Sequence, residues 1–146
     1  MMRIPIVELR VERSCSAECF REQVLTAEKA AEWMGGIIGD SCREHVAIVC
    51  FDASMRATCI DIVSRGSANM SPCYIPEVFK AAIASNATCI MMFHNHPSGD
   101  AQPSQSDAEV TERVRKAGEI LGVELVDHIV IGSGGRYYSF KEQGGL

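Results

Sequence analysis

The sequence predicts an α/β domain in which a layered, mixed β-sheet is flanked by helices. Short runs rich in apolar and β-branched residues alternate with segments of helical periodicity, which is the pattern of a sheet covered by helices. The segment 87–93 is almost entirely apolar, as expected for a strand buried on both faces. A length of 146 residues suits one domain with a sizeable core.

In the N-terminal half we predict three strands and one helix. Alternation of apolar and polar residues indicates the first strand, and Thr26 is a typical N-cap for the helix, which ends at Gly39. Residues 52–55 form a connection of hairpin length. The elements are a strand over 4–11, a helix over 26–38, and strands over 44–51 and 56–63. We expect 1–25 to be an N-terminal extension, with 26–146 as the domain.

In the C-terminal half we predict two helices and three strands. Pro76 suits the first turn of a helix, and Gly122 is placed to cap the end of the second helix. The elements are helices over 76–85 and 104–121, and strands over 87–93, 123–131 and 136–140.

The charge and hydropathy pattern excludes several classes of protein. The net charge of −5 argues against a nucleic-acid interface, which requires clustered basic residues. Apolar stretches stay shorter than the roughly 18 residues of a transmembrane helix, and the N-terminus lacks the apolar core of a signal peptide. We therefore expect a cytoplasmic protein without membrane contact.

The seven cysteines form an odd set without Cys-x-x-Cys spacing. Cys50, Cys59 and Cys89 fall in predicted strands, where a free thiol behaves as a small hydrophobe. Cys15 and Cys19 would share a face of a helix, which leaves a metal or redox role open. Reduced thiols in a reducing compartment explain the whole set more simply.

A cluster of metal-ligand residue types follows the apolar strand 87–93. His94 and His96 are two apart, so in extended backbone both imidazoles project from the same face. Ser104 begins a helix, and Asp107 occupies the capping-box position in its first turn. The strand end and the helix start can therefore meet at one ion.

Two imidazoles and one carboxylate match a catalytic zinc site, which leaves the fourth coordination position for water or substrate. Zinc lowers the pKa of bound water to about 7 and polarises carbonyl groups, so hydrolysis of an amide-like bond is the natural chemistry. The alternative is a loop whose histidines serve only as hydrogen-bonding groups. The added Ser-x-x-Asp favours the metal.

The motif His-x-His, seven residues, Ser-x-x-Asp resembles the JAMM motif of JAB/MPN-domain metalloproteases. The stretch 94–100, His-Asn-His-Pro-Ser-Gly-Asp, resembles the RadC-type branch, and the similarity covers about 26–146. This resemblance implies a cytidine-deaminase-like layered fold and one Zn²⁺ per chain, held by His94, His96 and Asp107. It also implies that the Ser104 hydroxyl helps to hold a tetrahedral oxyanion.

The resemblance further implies a glutamate at the start of an upstream strand as the general acid/base. Glu44 is at the matching position, and Asp61 on the next predicted strand is the rival carboxylate. For either residue the alternative is a solvent-facing acid on an amphipathic strand.

Three residues near the predicted metal ligands are expected not to bind the metal directly. By strand alternation Asn95 is expected to point away from the metal. His128 is interpreted as a core or ligand-supporting histidine rather than a direct ligand. Asp127 is a candidate for orienting a metal-bound imidazole, because ligating histidines usually donate their other N–H to an acceptor.

We therefore expect a zinc-dependent hydrolase that cleaves a peptide or isopeptide bond in a peptide or protein substrate. The alternative is a non-catalytic MPN-type binding or scaffold module, and the complete ligand set favours the enzyme. A zinc deaminase would require His-x-Glu and Pro-Cys-x-x-Cys, which the chain lacks. The net negative charge of the chain argues against a nuclease.

RadC-type proteins carry a DNA-repair name, and longer members have an N-terminal helix-hairpin-helix region that binds DNA. Only about 25 residues precede the matching domain here, so we expect no direct nucleic-acid binding. A homodimer is left open, and the N-terminal extension is either a dimer contact or an autoinhibitory cover of the site.

Overall fold

In the computed structural model, residues 3–8, 10–15, 26–66 and 73–146 are described. Within them the chain forms a mixed five-stranded sheet flanked by three α-helices, which confirms the predicted α/β architecture. The elements are α1 (Ala27–Met34), a π-helical turn (Gly35–Gly39), β1 (His45–Phe51), β2 (Ala57–Arg65), α2 (Ile75–Ala84), β3 (Cys89–Asn95), α3 (Gln105–Leu121), β4 (Glu124–Ile131) and β5 (Tyr137–Ser139).

The sheet has the strand order β2-β1-β3-β4-β5. Strand β1 pairs antiparallel with both β2 and β3, β3 pairs parallel with β4, and β4 pairs antiparallel with β5. The parallel pair is joined through α3, as a parallel connection requires. All seven residues of β3 are buried, so β3 is the core strand that the apolar run predicted.

Helices cover both faces of the sheet. On one face Ala30 and Met34 of α1 pack with Val49 and Phe93. On the other face Val78, Phe79 and Val114 belong to the cluster that contains Ile48 and Met92. Alternation along β1 and β3 thus sends successive side chains into two separate cores.

The predicted helix ends are confirmed, with one refinement. The Thr26 hydroxyl caps α1 by accepting from the Lys29 N–H at 3.3 Å, and Gly122 ends α3 in the left-handed conformation at φ +70°. The last part of the first predicted helix, Gly35–Gly39, adopts π geometry. Consecutive glycines lower the local preference for the α-helix.

The predicted N-terminal strand is wrong for the residues that the structure describes. Residues 3–8 and 10–15 have no regular secondary structure, and Leu9 lies outside the described residues. Ile4, Ile6 and Val7 are largely exposed. Alternation alone does not form a strand, because a strand requires a partner for its backbone groups.

For the cysteines that the structure describes, it agrees with the prediction of free thiols. The described cysteines carry free thiols, and Cys50 and Cys89 are buried in the sheet as small hydrophobes. Cys15 is exposed, and Cys19 lies outside the described residues.

Among the described helices, none is both long enough and apolar enough to span a bilayer.

Gly118 of α3 provides a test of how this helix packs. A Cβ at this position would lie 2.3 Å from the carbonyl oxygen of Val123. We expect Gly118→Ala to lower the free energy of unfolding by about 1–3 kcal/mol, although alanine alone would gain about 1 kcal/mol of helix propensity. Urea unfolding followed by circular dichroism measures the change.

Gly36→Ala is the matched control, because a Cβ there has open space within 4 Å. We expect its free energy of unfolding to stay the same or to rise by up to about 1 kcal/mol, because alanine is the better helix former. A Gly118→Ala variant as stable as wild type would contradict this account of the packing between α3 and Val123.

Candidate metal centre

Four side chains with metal-ligand atoms converge at the C-terminal end of β3. They are Glu44, His94, His96 and Asp107, and one ligand atom from each lies within 4.8 Å of the others. Each comes from a different part of the chain: the residue before β1, the end of β3, the loop after β3 and the first turn of α3. The structure therefore brings together the residues that the sequence and the resemblance singled out.

Backbone hydrogen bonds fix the loop that carries His96. The His96 N–H donates to the Ile131 carbonyl at 2.9 Å, which continues the pairing of β3 with β4 by one residue. Gly99 has φ +82° and its N–H donates to the His96 carbonyl at 2.9 Å. A Cβ on Gly132 would lie 2.6 Å from the Gly99 carbonyl oxygen, so only glycine allows the two loops to approach this closely.

Asp107 is held by the capping box at the start of α3. Its Oδ2 accepts from the Ser104 N–H at 2.6 Å and from the Ser104 hydroxyl at 2.7 Å, while the Ser104 hydroxyl accepts from the Asp107 N–H at 3.1 Å. The carboxylate also faces the histidines, with Oδ1 3.3 Å from His94 Nε2 and Oδ2 3.4 Å from His96 Nε2. The motif that begins the helix thus aims the carboxylate at both imidazoles.

The charges in the cluster are those of a cation site. Burial raises the pKa of Asp107, but its contacts with the imidazoles of His94 and His96 outweigh this and hold the pKa well below its usual range. Contact with the Asp107 carboxylate raises the pKa of His96 against the effect of burial. The carboxylate is therefore ionised, and it favours positive charge beside it.

The donor set fits a metal ion such as zinc. His96 Nδ1 lies 2.8 Å from the Asp100 carbonyl oxygen, and because a carbonyl only accepts, Nδ1 carries the proton and Nε2 of the neutral ring has a lone pair. That Nε2 lies 2.8 Å from His94 Nε2. Imidazole nitrogens and a carboxylate oxygen meeting at one point are the ligands that Zn²⁺ prefers.

Glu44 reaches the cluster because its backbone is held on both sides. The Gly66 N–H donates to the Glu44 carbonyl at 2.8 Å. The Asn95 side chain accepts from the His45 N–H at 2.7 Å and donates to the Arg43 carbonyl at 3.0 Å. Asn95 is completely buried and points away from the metal ligands, as predicted, and it fixes the segment that carries Glu44.

Asp61 does not join the convergent group. It pairs across the β1–β2 ladder with Ile48, and it neither belongs to the cluster nor lines the cleft described below. Burial, followed by the charge of Glu77, raises the pKa of Asp61. Of the two rival carboxylates, the geometry favours Glu44.

His128 is a buried neighbour of the cluster rather than one of its four ligand groups. Its Nε2 lies 2.8 Å from His94 Nδ1, so it is a buried histidine that contacts His94, which agrees with the interpretation as a core or supporting histidine. Burial, more than the neighbouring His94, lowers the pKa of His128 well below its usual value.

The interpretation of Asp127 as a support for a metal-bound imidazole is wrong. Its carboxylate accepts from the Ser139 hydroxyl at 2.5 Å, the His128 N–H at 2.7 Å and the Lys141 N–H at 3.0 Å. Successive residues of β4 point to opposite faces, so only His128 reaches the cluster. Asp127 instead holds the segment that follows β5.

The cluster opens into a cleft of about 340 Å³. Apolar and polar side chains share its walls, which is typical of a small binding site. The lining residues are Glu44, Val46, Cys73, Met92, His94, His96, Pro97, Ser98, Ser104, Ser106, Asp107, Val110 and His128.

Sequence reasoning missed Thr111 and the fixing role of Asn95. The Thr111 hydroxyl donates to the Asp107 carbonyl at 2.6 Å and lies 2.6 Å from His128 Nδ1. A threonine four residues after a proposed ligand is a weak signal, because threonine often bonds backward within a helix. The contact with His128 depends on the tertiary fold.

Asn95 also provides a test of how the Glu44 segment is held. Asn95→Asp removes two N–H donors and places a buried negative charge beside the Ser41 and Arg43 carbonyls. We expect the free energy of unfolding, measured in urea at neutral pH, to fall by about 2–4 kcal/mol. Asn86→Asp makes the same chemical change on an exposed turn and should have little effect. Equal stabilities of the two variants would refute this role.

Comparison with known proteins agrees with this architecture. The protein-family model of the RadC-like JAB domain matches residues 24–146 of this chain. A UPF0758 protein of Caldanaerobacter subterraneus is 46% identical over 102 residues, covering 70% of this chain and 43% of that protein. A UPF0758 protein of Thermotoga maritima is 42% identical over 104 residues, covering 71% and 46%. One of Pelodictyon phaeoclathratiforme is 33% identical over 144 residues, covering 99% and 64%.

The chain spans about half the length of the curated relatives it matches, between 43% and 64% in these three. The family match covers the sheet, the helices and all four convergent residues. The chain therefore belongs to the RadC-like JAB domain family.

Proposed function

We propose that this chain is a zinc-dependent hydrolase of the JAMM type that cleaves a peptide or isopeptide bond. His94, His96 and Asp107 would hold one zinc ion, and Glu44 would act as general acid/base. The observation that carries the proposal is the convergence of these four side chains, with ligand atoms within 4.8 Å of one another, at a cleft open to substrate.

The choice of zinc follows from the ligand types. Two imidazole nitrogens and one carboxylate are a donor set of catalytic zinc sites, in which a fourth position stays open. Magnesium and calcium prefer sites made of oxygen ligands. A zinc ion in this position would polarise the scissile carbonyl and acidify the attacking water.

Glu44 is the group that we propose to move the proton. It is half-buried beside the ligand cluster, and a carboxylate there accepts a proton from the attacking water and delivers it to the leaving nitrogen. Asn95 and the Gly66 N–H restrain its backbone. A fixed base is needed because proton transfer requires hydrogen-bond distance.

Ser104 is the group that we propose to stabilise developing negative charge. Its hydroxyl lines the cleft at the N-terminus of α3, where the helix dipole favours an anion. To donate to an oxyanion, the hydroxyl must turn away from Asp107 Oδ2, to which it donates at 2.7 Å. The backbone N–H of Ser104 still holds that carboxylate oxygen at 2.6 Å.

Metal content tests the ligand assignment. We expect elemental analysis of protein purified without added metal to find about one zinc per chain. His96→Ala and Asp107→Asn should lose it, because each removes one ligand of three. Asp61→Asn, a carboxylate change outside the cluster, should keep the full zinc content. A folded wild-type chain that takes up no zinc, even when zinc is added, would reject the hydrolase.

Glu44→Gln separates catalysis from metal binding. We expect this variant to keep its zinc and to lose hydrolysis by about 10²–10⁴-fold, measured on a panel of peptide and isopeptide substrates. Glu109→Gln, an exposed change on α3, should hydrolyse the same substrates at the wild-type rate. A zinc-loaded wild-type chain that binds these substrates without cleaving them would favour the non-catalytic binding module.

A further inference from the structure

A chain of buried hydrogen bonds connects two of the proposed zinc ligands behind the site. It runs from the Asp107 carbonyl to the Thr111 hydroxyl at 2.6 Å, from this hydroxyl to His128 Nδ1 at 2.6 Å, and from His128 Nε2 to His94 Nδ1 at 2.8 Å. Thr111, His128 and His94 are each 2% exposed. We call this set of groups the relay.

The donor and the acceptor of each hydrogen bond in the relay can be assigned in turn, starting from the Asp107 carbonyl. A carbonyl oxygen only accepts, so the Thr111 hydroxyl uses its single proton on Asp107. Its oxygen must then accept from His128, which places the proton of His128 on Nδ1. Both ring nitrogens of His128 contact a hydroxyl or an imidazole rather than a carboxylate, and the ring is 2% exposed, so a second proton would be a costly buried charge.

The direction of these hydrogen bonds determines which nitrogen of His94 carries the proton. With its proton on Nδ1, neutral His128 presents a lone pair on Nε2, and His94 Nδ1 must donate to it. A neutral His94 that carries its proton on Nδ1 has its lone pair on Nε2. That is the atom that faces His96 Nε2 and Asp107 Oδ1.

We propose that Thr111 and His128 are positioning residues that fix the tautomer and the orientation of His94 for metal binding. The inference deepens the proposed function, since it rests on His94 as a zinc ligand, and it does not depend on hydrolysis or on the substrate. Thr111 starts the relay, because its bond to the Asp107 carbonyl leaves His128 one way to pair.

Packing holds the middle of the relay in place. The His128 ring stacks on Phe140 with ring centroids 4.9 Å apart and an interplanar angle of 5°. His128 also lies directly across the parallel ladder from Met92, two residues before His94. The stacking fixes the plane of the ring, and the two hydrogen bonds fix which nitrogen faces Thr111 and which faces His94.

The relay also joins the two elements that carry the ligands. Thr111 lies one helical turn after Asp107, so its hydroxyl contacts α3 at the ligand itself. His128 lies on β4, next to β3, which carries His94. One threonine hydroxyl thus connects the helix ligand to the strand ligand.

The test compares Thr111→Val with Thr111→Ser. Valine keeps the volume and removes the hydroxyl, which leaves the His128 Nδ1–H without an acceptor. We expect Thr111→Val to weaken zinc affinity by about 10–100-fold, measured by competition with a chromogenic chelator. Thr111→Ser keeps the hydroxyl and should stay within about threefold of wild type. Thr58→Val, which removes a threonine–carbonyl bond on β2, controls for general loss of stability.

Nitrogen NMR of the wild-type histidines gives a second measurement that requires no variant. We expect His128 to be neutral with its proton on Nδ1, and His94 Nδ1–H to be protected from exchange in the zinc-loaded protein. A His128 proton on Nε2 overturns the proposal, as does unchanged zinc affinity in Thr111→Val. A wild-type chain that binds no zinc overturns the proposed function as well, so the two failures are distinguishable.

Discussion

Strand β3 ends in two polar residues that are buried almost completely, His94 at 2% and Asn95 at 0% exposure. Buried polar groups in a folded protein must find partners within the protein. Because the two residues point to opposite faces of the sheet, they find different partners. Asn95 bonds to the backbone before β1, and His94 bonds to His128 and meets Asp107. The rest of the site follows from this division.

The strand order brings two further side chains to His94. The residue before β1 lies beside the end of β3 because the two strands are antiparallel, with His94 opposite Val46. The start of α3 returns to the same end because α3 must cross over the sheet to reach the parallel β4. Glu44 and Asp107 therefore arrive at His94 from two sides. The sheet order alone brings Glu44 to one side of His94 and Asp107 to the other.

Local spacing explains which parts of the site were predictable from the sequence. His94 and His96 share a face of extended backbone, and Ser104 with Asp107 forms a capping box, so each pair has a signal within three residues. Glu44 lies 50 residues before His94 in the chain, and only the family resemblance indicated it. The contact of Thr111 with His128 joins α3 to β4, and neither sequence segment contains a sign of it.

The fold was predictable to a similar extent and for similar reasons. The apolar run of β3 and the caps of α1 and α3 are local features, and the structure contains them. The predicted strand at 4–11 had alternation but no partner, and residues 3–8 are exposed without regular structure. Pairing of strands depends on tertiary contacts that a single segment does not encode.

The capping box also determines which oxygen of Asp107 is available to a metal. Oδ2 accepts from the Ser104 N–H and the Ser104 hydroxyl, whereas Oδ1 faces His94 Nε2 at 3.3 Å. Oδ1 is therefore the better ligand atom, and Oδ2 serves as the anchor. The anchor has two donors, so the carboxylate keeps its position when the Ser104 hydroxyl turns toward the cleft. Under the proposed function, this redundancy would allow one serine both to cap the helix and to donate to an oxyanion.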